Sequence, residues 1–152
     1  MTKIRWRIVL LLFIAGIINY LDRSALSVAA PAIAKELHLS PASLGLVFST
    51  FFIGYAVFNF IGGWAADKWG GKNVFSTAIL LWSVLCGATG LATGFGSLLT
   101  LRTFFGMAEG PLATTINKMV NNWFPHRESA TAFGFANCGL PLGGAVAGPI
   151  VG

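Results

Sequence analysis

Long apolar runs follow one another along this chain with only short polar breaks between them. The first is unbroken from Ile8 to Ile18 apart from Gly16, and it resumes from Ala25 to Ala34 with only Ser27 and Pro31 intervening. An apolar helix of about 20 residues matches the hydrocarbon core of a bilayer. The pattern therefore predicts membrane-spanning helices over residues 8–33, 43–66, 74–93, 98–119 and 130–151. The first is longer than a perpendicular crossing needs, so it should tilt or kink. Ser40-Pro41-Ala42-Ser43 marks the start of the second, with proline in its first turn. Gly45, Gly54, Gly62 and Gly63 in the second span allow close helix approach. The third has no ionisable side chain besides Cys86 and is expected at the periphery. Pro111 should kink the fourth. Gly134, Gly139, Gly143, Gly144, Gly148, Pro141 and Pro149 point to a bent, closely packed fifth. Residues 67–73 and 94–97 are expected as tight turns, and 121–129 as the longest polar connector.

Composition supports an all-α membrane protein. Of 152 residues, 55% are hydrophobic and 10% charged, whereas soluble domains carry roughly 25% charged residues. The mean hydropathy is +0.75, and glycine, frequent in membrane helices, occurs 19 times. The net charge of +5 does not indicate nucleic acid, because the basic residues are scattered at the ends of the apolar runs. With the N-terminus inside, the inner segments hold Lys3, Arg5, Arg7, Lys68, Lys72, Lys118 and Arg127, and the outer ones only Lys35. That asymmetry places the N-terminus in the cytoplasm. Lys3, Arg5 and Arg7 before an apolar run, with Ser27-Val28-Ala29 beyond it, also fit a cleaved signal peptide. Asp22 and Arg23 would then separate the apolar region from its cleavage site, so an uncleaved first helix is the better reading. Cys86 and Cys138 fall inside apolar runs and are expected as packing residues. His38 and His126 are lone connector residues. No nucleophile–base pair, metal cluster or phosphate loop is present, so an enzyme is excluded and no metal or cofactor is expected.

The chemistry concentrates where charge interrupts the apolar pattern. Asn19-Tyr20-Leu21-Asp22-Arg23 lies in mid-span. There each charge costs on the order of 2.5–3.5 kcal/mol on the insertion scale. A second pair, Arg102 and Glu109, is seven residues apart and so lies on nearly one helix face. Tyr55 and Asn59 are one helical turn apart. Arginine keeps its charge, whereas a carboxylate can exchange a proton. A carboxylate set between burial and a neighbouring arginine can therefore switch when an anion arrives. The arginine is then available for bidentate pairing with the ligand's carboxylate. This is a physical basis for coupled movement of protons and an organic anion. The plainer alternative is a pair of static salt bridges stapling the first and fourth spans. Tyr20, Tyr55 and Asn59 can supply polar contacts to a polyhydroxy solute, or serve helix packing alone.

Gly63-Trp64-Ala65-Ala66-Asp67-Lys68-Trp69-Gly70-Gly71-Lys72 resembles the signature between helices 2 and 3 of the major facilitator superfamily. Gly63 would allow helix approach, Gly70 the turn, and Asp67 a helix N-terminal cap, with Lys68 and Lys72 at the basic positions. Gly71 stands where that pattern has a basic residue. Residues 19–23 resemble the helix 1 motif of the superfamily's anion:cation symporter branch. So do Arg102-Thr-Phe-Phe-Gly106-Met-Ala-Glu109-Gly110-Pro111 and the following Asn122-Trp123-Phe124-Pro125 with Glu128. That branch includes bacterial transporters of galactonate, glucarate and hexuronates, and animal vesicular glutamate and sialic acid carriers.

The resemblance implies a twelve-helix fold in two six-helix halves with substrate between them. This chain would supply five helices of the N-terminal half, and the C-terminal half of the same protein would be missing. It further implies that Asp22 and Glu109 are protonatable, that Arg23 and Tyr55 hold the anion, and that Arg102 belongs to the protonation network. Leu140 stands after Gly139 where sugar-acid members can carry a polar side chain, which leaves the substrate open. The expected protein is a proton-coupled symporter of a sugar acid in the bacterial inner membrane, with lipid, anion and proton as its partners. Five spans alone are not expected to transport. The alternatives are carriage of another carboxylate, antiport, a non-transporting solute sensor of the same fold, and a truncated product without function.

Overall fold

The computed structural model describes residues 2–151, with side chains described for 3–150. Among the described residues all regular structure is helical: α1 (Thr2–Glu36), α2 (Pro41–Trp69), α3 (Gly71–Thr89), α4 (Phe95–Glu109), α5 (Pro111–Trp123) and α6 (His126–Val151).

The helix ends follow from local chemistry. After α1 the chain turns at His38, which adopts φ 51°. The Leu39 N–H reaches back to the Ala34 carbonyl at 2.9 Å, which satisfies a carbonyl at the helix end. Ser40 caps α2, its Oγ accepting from the Ser43 N–H at 3.1 Å, and Pro41 opens the helix. A single residue, Gly70, separates α2 from α3. Its φ of 83° lies in the region that favours glycine. Asn73 closes this turn by donating to the Trp69 carbonyl at 3.0 Å. Ser97 organises the start of α4, its Oγ accepting from the N–H groups of Thr93 and Gly94.

Two expectations change. The fourth apolar run is two helices, α4 and α5, divided at Gly110. Gly110 stays in the right-handed helical region, and its N–H donates to the Gly106 carbonyl at 2.9 Å. The division arises because Pro111 has no N–H to continue the ladder. The polar connector expected over 121–129 shrinks to Phe124 and Pro125, with helix on both sides. Phe124 is buried. The Pro125 carbonyl accepts the first-turn N–H groups of Glu128 and Ser129.

Among the described residues, three helices are by length and composition apolar enough to cross a membrane: Lys3–Glu36, Pro41–Trp69 and Gly71–Thr89. Large apolar side chains lie on their outer surfaces, among them Leu11, Ile14, Phe52, Ile53, Phe60 and Val84. Such a surface suits contact with acyl chains.

The chain packs as two compact units: Ala30–Thr115, and Met1–Ala29 with Ile116–Gly152. In the first, α2 crosses α4 with backbone against backbone. A Cβ on Gly106 would collide with the Phe51 carbonyl, and one on Gly54 with the Thr103 carbonyl. Further along, a Cβ on Gly62 would lie 2.6 Å from the Pro111 Cα. Of the two neighbouring glycines expected to allow close approach, Gly62 therefore makes it and Gly63 does not. A Cβ at Gly63 would make only ordinary contact with Thr114 at 3.7 Å, because successive residues point about 100° apart on a helix of 3.6 residues per turn. Helix α3 buries Phe75, Ala78 and Trp82 at helical spacing and exposes Leu80, Leu81 and Val84. In the second unit, α6 approaches α1 in the same manner. Gly139 faces the Phe13 carbonyl and Gly143 the Ile17 carbonyl. Trp6 meets Phe124 edge-on at 5.4 Å, and Arg5 pairs with Glu128 at 2.8 Å.

This packing yields a stability test by thermal unfolding of the purified protein in detergent. Gly54→Ala and Gly106→Ala are expected to destabilise by about 1–3 kcal/mol, the usual range for overpacking. Gly45→Ala and Gly87→Ala, where a Cβ meets nothing within 4 Å, are expected to be neutral within about 0.5 kcal/mol. Equal effects at all four positions would contradict the crossing.

Candidate functional site

The charged residues of the Ala30–Thr115 unit lie on the face of α4 that the structure buries. Arg102 is 4% exposed and Glu109 is 0% exposed. The spacing of seven residues keeps both on this face, with Phe105 between them. The Arg102 guanidinium carbon lies 4.8 Å from the Phe105 ring centroid. Phe105 packs on Phe51 at 5.8 Å, and Phe51 stacks on Tyr55 at 6.0 Å. A row of rings thus links Tyr55 on α2 to Arg102 on α4.

The α2–α4 crossing carries Tyr55 and Asn59 to the level of Glu109. The glycines on either side of that level, Gly106 and Gly110, both lie against the α2 backbone. A Cβ on Gly106 would be 3.1 Å from the Tyr55 N, and one on Gly110 would be 2.8 Å from the Asn59 N. The Asn59 Nδ2 donates to the Gly110 carbonyl at 3.1 Å. The amide expected to face a solute therefore has a backbone partner on α4. Thr115, 0% exposed, donates to the Pro111 carbonyl at 2.7 Å and lies 2.9 Å from that of Leu112. Its part at this helix break was not foreseen, although a threonine four residues after a proline can reach that proline's carbonyl.

The Met1–Ala29 and Ile116–Gly152 unit holds Tyr20, Asp22 and Arg23 on α1. The Arg23 guanidinium carbon lies 5.6 Å from the Tyr20 ring centroid. A Cβ on Gly144 would come within 3.4 Å of the Tyr20 ring, so glycine at that position leaves the ring its space. Asp22 and Arg23 are half-buried. Asn19, the first residue of the same motif, is buried and was not singled out beforehand. A polar residue four positions before Arg23 is the signal that could have found it.

The α2–α3 turn presents Asp67, Lys68 and Lys72 on the surface. Lys68 Nζ lies 5.0 Å from the Trp64 ring centroid and 5.5 Å from that of Trp69. A cleft of about 760 Å³ also opens between α2, α3 and α4. Its lining includes Phe58, Ile61, Leu81, Phe104 and Met107, an apolar surface unsuited to an anion.

Among the described residues, the apolar helices long enough to cross a bilayer fit an integral membrane protein. The chain belongs to the major facilitator superfamily: the family model described as Major Facilitator Superfamily matches residues 12–152. It is 57% identical over 151 residues to the hexuronate transporter of Bacillus subtilis, covering 99% of this chain and 36% of that protein. It is 38% identical over 147 residues to the D-galactonate transporter of Escherichia coli, covering 97% of this chain and 34% of the other. Among solved structures it matches a bacterial homologue of the human lysosomal transporter Spinster, in an inward-facing and occupied conformation. That match has a TM-score of 0.89 and 26% identity, and covers 94% of this chain and 31% of the other. The chain thus spans about a third of the length of these relatives. The family is one of transporters, not enzymes, in agreement with the exclusion of an enzyme from the sequence.

Burial separates the two arginines energetically. Arg102→Ala is expected to lower stability by about 3 kcal/mol or more, as when a buried charged interaction is broken. Arg23→Ala, at a half-buried position, is expected to cost about 1 kcal/mol. Thermal unfolding of both variants in detergent measures the difference, and a reversed order would contradict the burial pattern.

Proposed function

We propose that this chain is the N-terminal part of a bacterial inner-membrane symporter that carries a hexuronate or related sugar acid together with protons. The observation that supports this most is the 57% identity with a hexuronate transporter over 99% of the chain. The buried Glu109 and Arg102 add a chemical reason. In this reading α4 and α5 cross the membrane as one span, since Gly110 keeps the helical conformation between them. Together with α1, α2, α3 and α6 they make five crossings, with the N-terminus in the cytoplasm, where the positive-inside rule puts it.

The roles follow from what each side chain can do. Arg23 holds the sugar-acid carboxylate through its planar fork of donors, with the Tyr20 ring against the guanidinium to orient it. Tyr55 adds a hydroxyl contact. Asp22 and Glu109 exchange protons, which Arg23 and Arg102 cannot. Arg102 stays charged in the buried face of α4, on the same face as Glu109. Gly63, Asp67, Lys68, Gly70 and Lys72 form the turn that gates the rocking of the two halves.

The test uses the full-length transporter that carries this chain, reconstituted in vesicles. Uptake of labelled galacturonate, glucuronate, galactonate and glucarate is followed with and without an inward proton gradient, in wild type and Glu109→Gln. The expected result is gradient-driven uptake of a hexuronate that falls by about two orders of magnitude in the variant. Uptake indifferent to both the gradient and Glu109 would overturn proton symport. Uptake of none of these acids would overturn the substrate class.

A further inference from the structure

We propose that Asn59 is a positioning residue: its amide clamps the α4–α5 break and thereby fixes where α4 presents Glu109. This inference rests on the reading of Glu109 as a proton carrier. It departs from the expectation that Asn59 touches the solute.

The helix is locally weakened beside Glu109. Two residues on, Pro111 removes the N–H that would otherwise bond the Met107 carbonyl. A helix that has lost a rung can bend there. A bend would swing Glu109, whose Cα precedes the break by a single peptide unit. Three side-chain hydrogen bonds oppose it. The Asn59 Nδ2 holds the Gly110 carbonyl at 3.1 Å. Thr114 and Thr115 hydroxyls hold the Pro111 carbonyl at 3.0 and 2.7 Å.

The threonine bonds stay within α5 and cannot tie the break to anything else. Only the Asn59 bond, among these, crosses to another helix. Its geometry is enforced from both sides. A Cβ on Gly110 would lie 2.8 Å from both the Asn59 N and the Tyr55 carbonyl oxygen, and one on Gly62 would lie 2.6 Å from the Pro111 Cα. The backbones of α2 and the break are therefore as close as glycine allows, and a side chain as short as asparagine spans the gap. Aspartate lacks the donor, and glutamine is a methylene too long for it.

The clamp acts through the backbone, so its loss should affect coupling more than affinity. In vesicles of the full-length transporter, Asn59→Ala is expected to lower gradient-driven uptake about tenfold, while the counterflow KM for the sugar acid stays within about twofold. Pro111→Ala restores the missing N–H and makes the break an ordinary helical turn. In that background Asn59→Ala is expected to cost about threefold or less. A structural defect alone would lower the amount of folded protein without altering the ratio of gradient-driven uptake to counterflow. Two results would overturn the proposal while Glu109→Gln still abolishes coupling. One is a raised KM with coupling intact, which marks a solute contact. The other is a loss of coupling that Pro111→Ala does not reduce. If Glu109→Gln itself leaves coupling unchanged, the symport reading fails first and this inference fails with it.

Discussion

The structure of the Ala30–Thr115 unit depends on one constraint: α2 and α4 touch through their backbones. Gly54 and Gly106 are the points where no Cβ fits, and Gly62 and Gly110 extend the contact across the Pro111 break. In lipid there is little hydrophobic drive for helices to associate, so close packing and interhelical hydrogen bonds must hold them. The glycines provide the first, and the Asn59 bond to Gly110 is an instance of the second. Without this contact Tyr55 and Asn59 would not lie at the level of Glu109.

The same device recurs in the other unit, where Gly139 and Gly143 of α6 face the α1 backbone at Phe13 and Ile17. There it sets the height of α6 against the segment that carries Asn19, Tyr20, Asp22 and Arg23. In both units a charged motif rides on a helix whose partner approaches through glycine. The motif's position is then determined by backbone contact, which is stiffer than contact between flexible side chains.

Much of this was legible in the sequence because its signals were local. Apolar runs located the helices, Ser40-Pro41 located the start of α2, and the charges Arg102 and Glu109 marked the face of α4 that is buried. The family followed from motifs read in order. What a sequence pattern leaves open depended on three-dimensional detail. Gly62 and Gly63 are indistinguishable in a pattern, and only the phase of the helix separates the one against Pro111 from the one against Thr114. Asn59 offered both an amide for a solute and an amide for a backbone carbonyl, and its bond to the Gly110 carbonyl is visible only in three dimensions. The 121–129 stretch is polar enough to suggest a loop. Membrane helices continue into the interfacial region, so polarity there does not end a helix, whereas Pro125 does.

We propose that binding of an organic anion and binding of a proton are one linked event at Glu109. The most direct test is calorimetric titration of the purified full-length transporter with a hexuronate, in buffers of different ionisation enthalpy. The slope of the observed enthalpy against buffer enthalpy gives the protons exchanged on binding. The account predicts net proton uptake by the wild type and its loss in Glu109→Gln. The same proton exchange in both proteins, or none in either, would contradict it.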